Sequence, residues 1–280
     1  MRFTVKPSGA ALGAEIHGLD LAHPLSAEEV TLVRQALWQH VLLVFPEQNL
    51  TPAQTADFCR YFGPITRHIL DQFNHPDEAD LCIISNVAES GKGRTTARMA
   101  GSYWHSDLSY IAEPVDASML YAIEVPRSGG DTLFANLYDA FDALPKDMQE
   151  RLRGLKAVHN LMSGSGADSK VALTDTQRAK VPDAIHPMVR RHSETGREAL
   201  FVNPGFTRRI EGMDARESAA LLQELYNHAT EEHFTYRHKW RPGDLTLFDG
   251  CGSMHSATGG YTSAHRRTLW RAFMGGRYAA

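Results

Sequence analysis

Short apolar runs broken by glycine, proline and aspartate turns recur along the chain, and they limit its fold more than any other feature. "VLLVF" (41–45), "LCIIS" (81–85), "SMLYAIEV" (118–125), "DTLFA" (131–135), "LTLFD" (245–249) and "RTLWRAFM" (267–274) each have the length of one strand. "MVRRH" and "REALFV" flank "SETG" as a hairpin does. Helical patterns are few and do not alternate with the strands, so a parallel βαβ sheet is excluded. The expected fold is mainly β with appended helices: a β-sandwich or jelly roll, formed by a single domain over 1–280.

Two helix starts carry clear signals. Ser26 with Glu29 forms a capping box ahead of "AEEVTLVRQALWQH", and Thr51-Pro52 opens a second helix running to Tyr61. "DARESAALLQELYNHA" (214–229) is an amphipathic helix. Two polar, glycine-bearing segments, 86–101 and 161–184, are expected to form a lid. A net charge of −4 gives no reason to expect a nucleic-acid partner. Three widely spaced cysteines suit a reducing compartment better than a disulfide framework. The N-terminal "MRFTVKPSGA" lacks an apolar signal region, and no apolar run reaches the roughly 18 residues of a membrane span. The expected location is cytoplasmic, with no membrane partner.

The chemistry-bearing stretch is "YWHSDLSY" (103–110). If it is extended, His105 and Asp107 point to one side and Ser106 to the other. An imidazole and a carboxylate on one face are two ligands of a metal site, or a structural hydrogen-bonded pair. A distant histidine would complete two histidines and one carboxylate, the set that favours non-haem Fe(II). His255 follows a strand and a glycine turn, and Arg267 and Arg271 come after it on one face of "RRTLWRAF". Two arginines on an apolar face are costly without anions to bind; the alternative is a solvent-facing strand with the Trp270 side buried. The same triad with zinc would suit a hydrolase or isomerase, and a non-catalytic jelly-roll binding protein is a third possibility.

These motifs resemble the taurine dioxygenase family of Fe(II)/2-oxoglutarate-dependent dioxygenases, which includes the phenoxyacetate-herbicide dioxygenases. The resemblance rests on His105-Ser-Asp107, Thr132 in "SGGDTLF", His255 and Arg267 in "RRTLWRA". "VLLVFPEQNLTPAQTADFCRYFGPI", "YDAFDALPKDMQ", "LFVNPGF", "RIEGM" and "YRHKWRPGDLTLFD" follow in family order and extend it to nearly the whole chain. It implies a double-stranded β-helix (cupin-like jelly roll) core. It implies His105, Asp107 and His255 as iron ligands, and Thr132 with Arg267 on the far carboxylate of 2-oxoglutarate, with the adjacent Arg266 competing for that role. It implies Arg271 and His68 at a substrate anion, and Phe206 along the substrate pocket. The implied reaction consumes 2-oxoglutarate and O2, hydroxylates a small anionic substrate and releases succinate and CO2. A sulfonate, sulfate ester, aryloxyalkanoate or other carboxylate would fit, and an oxygen-bearing carbon would then fragment. The resemblance also implies a homo-oligomer, dimer or tetramer.

The sequence departs from the family where Gly101-Ser102-Tyr103 precedes Trp104, where Phe248-Asp249-Gly250-Cys251 replaces Trp-Asp-Asn-Arg, and where Asp71 stands three residues after His68. Those departures point away from taurine itself. The spacing of His228, His233 and His238 suits no metal site, Cys251 is expected to be a turn residue, and Phe248 is either core or a wall beside the iron.

Overall fold

The computed structural model describes residues 3–87, 101–162, 173–262 and 264–277. Residues 88–100, most of the first expected lid segment, and 163–172, part of the second, lie outside the described residues. The strands are β1 (Thr4–Pro7), β2 (Ala14–His17), β3 (Leu42–Phe45), β4 (Cys82–Ser85), β5 (Ala117–Glu124), β6 (Thr132–Asn136), β7 (Lys156–His159), β8 (Ala184–Pro187), β9 (Val189–Arg191), β10 (Glu198–Leu200), β11 (Thr207–Ile210), β12 (Thr235–His238), β13 (Leu245–Asp249), β14 (Ser253–Ala257) and β15 (Thr268–Met274). The helices are α1 (Ala27–His40), α2 (Pro52–Arg60), α3 (Leu137–Asp142), α4 (Lys146–Arg153), α5 (Asp175–Ala179) and α6 (Ala215–Ala229).

The largest sheet runs β1-β2-β3-β13-β5-β15-β4, and a second runs β12-β6-β14. Pairing is antiparallel throughout the two sheets except between β2 and β3. Both faces of the large sheet are covered, which is why its central strands are apolar runs without alternation. Leu43, Phe45, Leu245 and Leu247 face one core with Val33 and Leu37 of α1 and Phe58 of α2. Leu42, Leu120, Phe248 and Leu269 face the other, together with Phe134 and Met254 of the second sheet. The two sheets touch directly where the Phe134 and Phe248 rings lie 5.2 Å apart, edge to face.

Local chemistry accounts for the helix that backs the large sheet. Ser26 Oγ accepts from the Glu29 amide at 3.2 Å while the Glu29 carboxylate accepts from the Ser26 amide at 2.8 Å. Such a cap is worth about 1 kcal/mol. The helix therefore starts where the sequence places it. Strands β7, β8, β11 and β14 carry no sequence signal of comparable strength. His255 does follow a strand, β13, and a glycine turn, and it lies inside a further short strand, β14.

Candidate active site

His105 and His255 are separated by most of the chain, yet backbone pairing brings them side by side. The His105 amide donates to the His255 carbonyl at 2.9 Å, and the His255 amide donates back at 2.8 Å. This one-residue antiparallel bridge stands outside the named strands on the His105 side. It sets both imidazoles on one face, with ring centroids 4.2 Å apart. "WHSDL" is therefore not extended, contrary to the expectation from its alternation. Asp107 enters through the turn that follows His105, and Leu108 just after it holds φ at 49°, in the left-handed region. A branched residue there is strained, and strain of this kind collects at functional sites.

The turn brings Asp107 Oδ1 to 3.7 Å from His105 Nε2, and Asp107 Oδ2 to 4.0 Å from His255 Nε2. One donor atom from each of the three residues lies within 4.8 Å of the others, and all three residues are buried. His105 Nδ1 donates to the Tyr103 carbonyl at 2.8 Å, which leaves the Nε2 lone pair facing the cluster. The His255 ring is held by packing: Phe134 stacks on it at 5.8 Å and Phe248 lies 5.0 Å away. Phe248 is thus core and site wall at once. Burial, then the charge of His105, pushes His255 down to about 3, so its imidazole stays neutral. Burial pushes the Asp107 carboxyl up, but His255, Arg271 and His105 more than offset it and hold it below the usual carboxylate range. Asp107 Oδ2 has no hydrogen-bond partner among the described residues. A buried anionic oxygen left unpaired is costly. Two imidazoles and a carboxylate around it are a donor set that fits a divalent metal ion.

Thr132 lies next to this cluster because β6 pairs with β14, Phe134 opposite His255 and Thr132 opposite Ala257. Directly opposed residues share a face, so the Thr132 side chain lies on the His255 side of the sheet, one step along. Trp240 Nε1 donates to Thr132 Oγ1 at 2.9 Å. Arg267 is buried and donates through Nε to the Gly130 carbonyl at 3.0 Å. Gly130 has φ 71°, and a Cβ there would meet Arg267 Cδ and Nε at 3.1 Å, so glycine lets the guanidinium stem pass. Arg266, by contrast, is exposed and pairs with Glu124 at 2.7 Å. Of the two adjacent arginines, only Arg267 points into the interior near Thr132.

Arg271 Nη1 lies 3.6 Å from Asp107 Oδ1, and its guanidinium carbon sits 4.6 Å over the Phe273 ring. Its Nε is buried with no hydrogen-bond partner among the described residues. His68 also packs on Phe273, with ring centroids 5.8 Å apart. The Leu70 amide donates to His68 Nδ1 at 3.1 Å, so the ring proton is on Nε2, 3.4 Å from the Tyr110 hydroxyl. Burial, then Arg271, pushes His68 down to about 3 and keeps it neutral. Phe206 meets the His105 ring edge-on at 5.8 Å and Tyr110 at 4.8 Å. His105, Asp107, His255, Arg271, His68 and Phe206 are therefore joined by contacts among themselves and with Phe273 and Tyr110. Thr132 lies beside His255 on the sheet, and Arg267 reaches the backbone of Gly130 two residues before Thr132.

Some residues of this region carried no sequence signal. Asn203 donates to Ser109 Oγ at 3.0 Å and accepts from the Phe206 amide at 2.9 Å, tying the "NPGF" turn to the Asp107 turn. Gly205 fits because a Cβ there would sit 2.8 Å from the Cβ of His105. Asp249 accepts from the Cys251 and Gly252 amides at 2.7 and 3.1 Å, and so shapes the turn that delivers β14. Cys251 is that turn's residue and is absent from the three-residue donor cluster. His238 is buried in β12, and the His228–His233–His238 series forms no metal group among the described residues.

The sequence profile of the "Taurine catabolism dioxygenase TauD, TfdA family" matches residues 4–273. The chain is 34% identical over 281 residues to the alpha-ketoglutarate-dependent 2,4-dichlorophenoxyacetate dioxygenase of Cupriavidus pinatubonensis, covering 97% of each protein. A taurine dioxygenase crystal structure from Burkholderia xenovorans superposes with a TM-score of 0.82 at 32% identity, covering 99% of this chain and 90% of the other. The structure of AAD-2 in complex with Mn(II) and N-oxalylglycine superposes with a TM-score of 0.83 at 28% identity, covering 99% of this chain and 98% of that one. The chain belongs to the taurine catabolism dioxygenase TauD, TfdA family.

Proposed function

We propose that this chain is an Fe(II)/2-oxoglutarate-dependent dioxygenase that hydroxylates a small anionic organic substrate. The observation that carries the reading is the convergence of His105, Asp107 and His255 within 4.8 Å around an unpaired, buried carboxylate oxygen. An iron(II) ion bound there supplies the redox chemistry that couples O2-dependent decarboxylation of 2-oxoglutarate, to succinate and CO2, with hydroxylation of a C–H bond.

The chain's own residues do the rest. His105 and His255 present imidazole nitrogens, His255 as the neutral ring, and Asp107 presents an ionised oxygen. Arg267 and Thr132 take the far carboxylate of 2-oxoglutarate, one as a cation fork and one as a hydroxyl donor. Arg271 and His68 Nε2–H face the anionic end of the substrate. Phe206, Tyr103 and Tyr110 wall its apolar part and exclude water. The aromatic contact between the two sheets beside His255 supports a double-stranded β-helix core, and family coverage of 4–273 supports one dioxygenase domain. The substrate class rests on Arg271 and on relatives that are named for 2,4-dichlorophenoxyacetate and for taurine.

The test is a screen of aryloxyalkanoates, alkyl sulfonates, alkyl sulfates and other small carboxylates for stimulated succinate release. At least one anionic compound is expected to stimulate release while its uncharged amide or alcohol counterpart does not. Equal stimulation by charged and uncharged counterparts would remove the anion from the reading.

A further inference from the structure

We infer that Trp240 is a positioning residue for the cosubstrate: it fixes the direction of the Thr132 hydroxyl proton. The inference rests on the reading of Thr132 as a 2-oxoglutarate ligand.

A threonine hydroxyl has one proton to give and two lone pairs to receive. The indole Nε1–H of Trp240 fills one lone pair at 2.9 Å. Indole nitrogen has no lone pair to accept a hydrogen bond, so the Thr132 proton cannot turn toward Trp240. No acceptor for that proton is found among the described residues, although Thr132 is almost wholly buried. The hydroxyl is thereby made a donor aimed away from Trp240, which is what an incoming carboxylate needs. A hydroxyl that already accepts is also the stronger donor, because hydrogen bonds in a chain polarise one another.

The indole is itself held in place. His238 stands opposite Thr132 in the β12–β6 ladder. Its ring meets the Trp240 ring edge-on, with centroids 4.4 Å apart and planes at 90°. His238 Nε2 lies 3.3 Å from Asp244 Oδ2, and Asp244 is fully buried and accepts from the Arg241 amide at 3.0 Å. Asp244, His238 and Trp240 thus back Thr132 from the side opposite the pocket. Three residues of "HKWRPGD" thereby acquire a common purpose.

The test is a double-mutant cycle read by calorimetric binding of 2-oxoglutarate to the anaerobic Mn(II)-loaded protein. Trp240→Phe removes the N–H and keeps an aromatic ring. It is expected to weaken 2-oxoglutarate about five-fold, the scale of one hydrogen bond, with the Mn(II) affinity unchanged. In the Thr132→Val background the same substitution is expected to change the affinity less than about two-fold, because no hydroxyl is left to orient. Benzothienylalanine at position 240, which keeps the bicyclic shape and replaces N–H by sulfur, repeats the experiment should the phenylalanine variant unfold. Equal weakening in both backgrounds would make Trp240 a packing residue and overturn the inference while leaving Thr132 in its role. An unchanged affinity on Thr132→Val alone would instead remove Thr132 from the cosubstrate, and the inference with it.

Discussion

At the metal-facing end of the pocket, His105 and His255 exchange both backbone hydrogen bonds, and Asp107 follows through a turn pinned by Asn203 and Ser109. At the Arg271 end, the groups meet through side chains alone: a guanidinium over Phe273, an imidazole on the same ring, and a 3.4 Å contact between His68 and Tyr110. At the first end main-chain bonds fix the relative position of the two histidines, and side chains only trim the ring of His255 and the turn of Asp107. The second can be remodelled by substituting two or three side chains without moving a strand. One site thus joins a part set largely by main chain to a part set by side chains. Relatives named for an aryloxyacetate and for taurine fit that division.

The contrast can be broken first at its rigid end. Asp107→Ala is expected to lower substrate-dependent succinate release by more than about a hundred-fold, since even the partners behind a metal ligand are worth 10–100-fold. Mn(II) affinity measured by calorimetry should fall with it, and retention of tight Mn(II) binding would remove Asp107 from the metal. The next largest effect separates the neighbouring arginines. Arg267→Ala is expected to raise the KM for 2-oxoglutarate by roughly thirty-fold or more, as for a buried charge partner, whereas Arg266→Ala loses an exposed pair and should change it less than about two-fold. Similar KM values for the two variants would mean that burial does not distinguish them. At the adjustable end, Arg271→Ala is expected to raise the KM for the primary substrate by about ten-fold or more while leaving that for 2-oxoglutarate nearly unchanged. Equal rises would move Arg271 to the cosubstrate. The smallest effect is on the link between the ends: Asn203→Ala removes the tie between Ser109 and Phe206 and should cost about 1–3 kcal/mol of stability in denaturant unfolding. No loss of stability would mean that the Asp107 turn holds its shape unaided.

Much of this arrangement was legible from residues alone, for reasons that differ from element to element. Helix α1 declared itself because its cap and its apolar face are local properties. The central strands did so because burial on both faces leaves no polar positions. The strand that carries His255 was not legible: "SMHSA" is short and small, and it becomes a strand only by pairing with β6. Alternation in "WHSDL" suggested an extended pair, and the structure reaches the same side by a bridge and a strained turn instead. Strand parity placed Arg267 with Arg271 and apart from Arg266, and the fold adds that Arg267 is buried while Arg266 is exposed. Trp240 and Asn203 carried no functional signal, since each acts through one hydrogen bond to a residue far away in sequence.

The most direct measurement is the visible spectrum of the anaerobic protein with Fe(II), before and after addition of 2-oxoglutarate. A weak charge-transfer band is expected to appear on adding 2-oxoglutarate, and to be lost in the Asp107→Ala variant. No band in the unaltered protein, or an equal band in the variant, would contradict a metal site built from His105, Asp107 and His255.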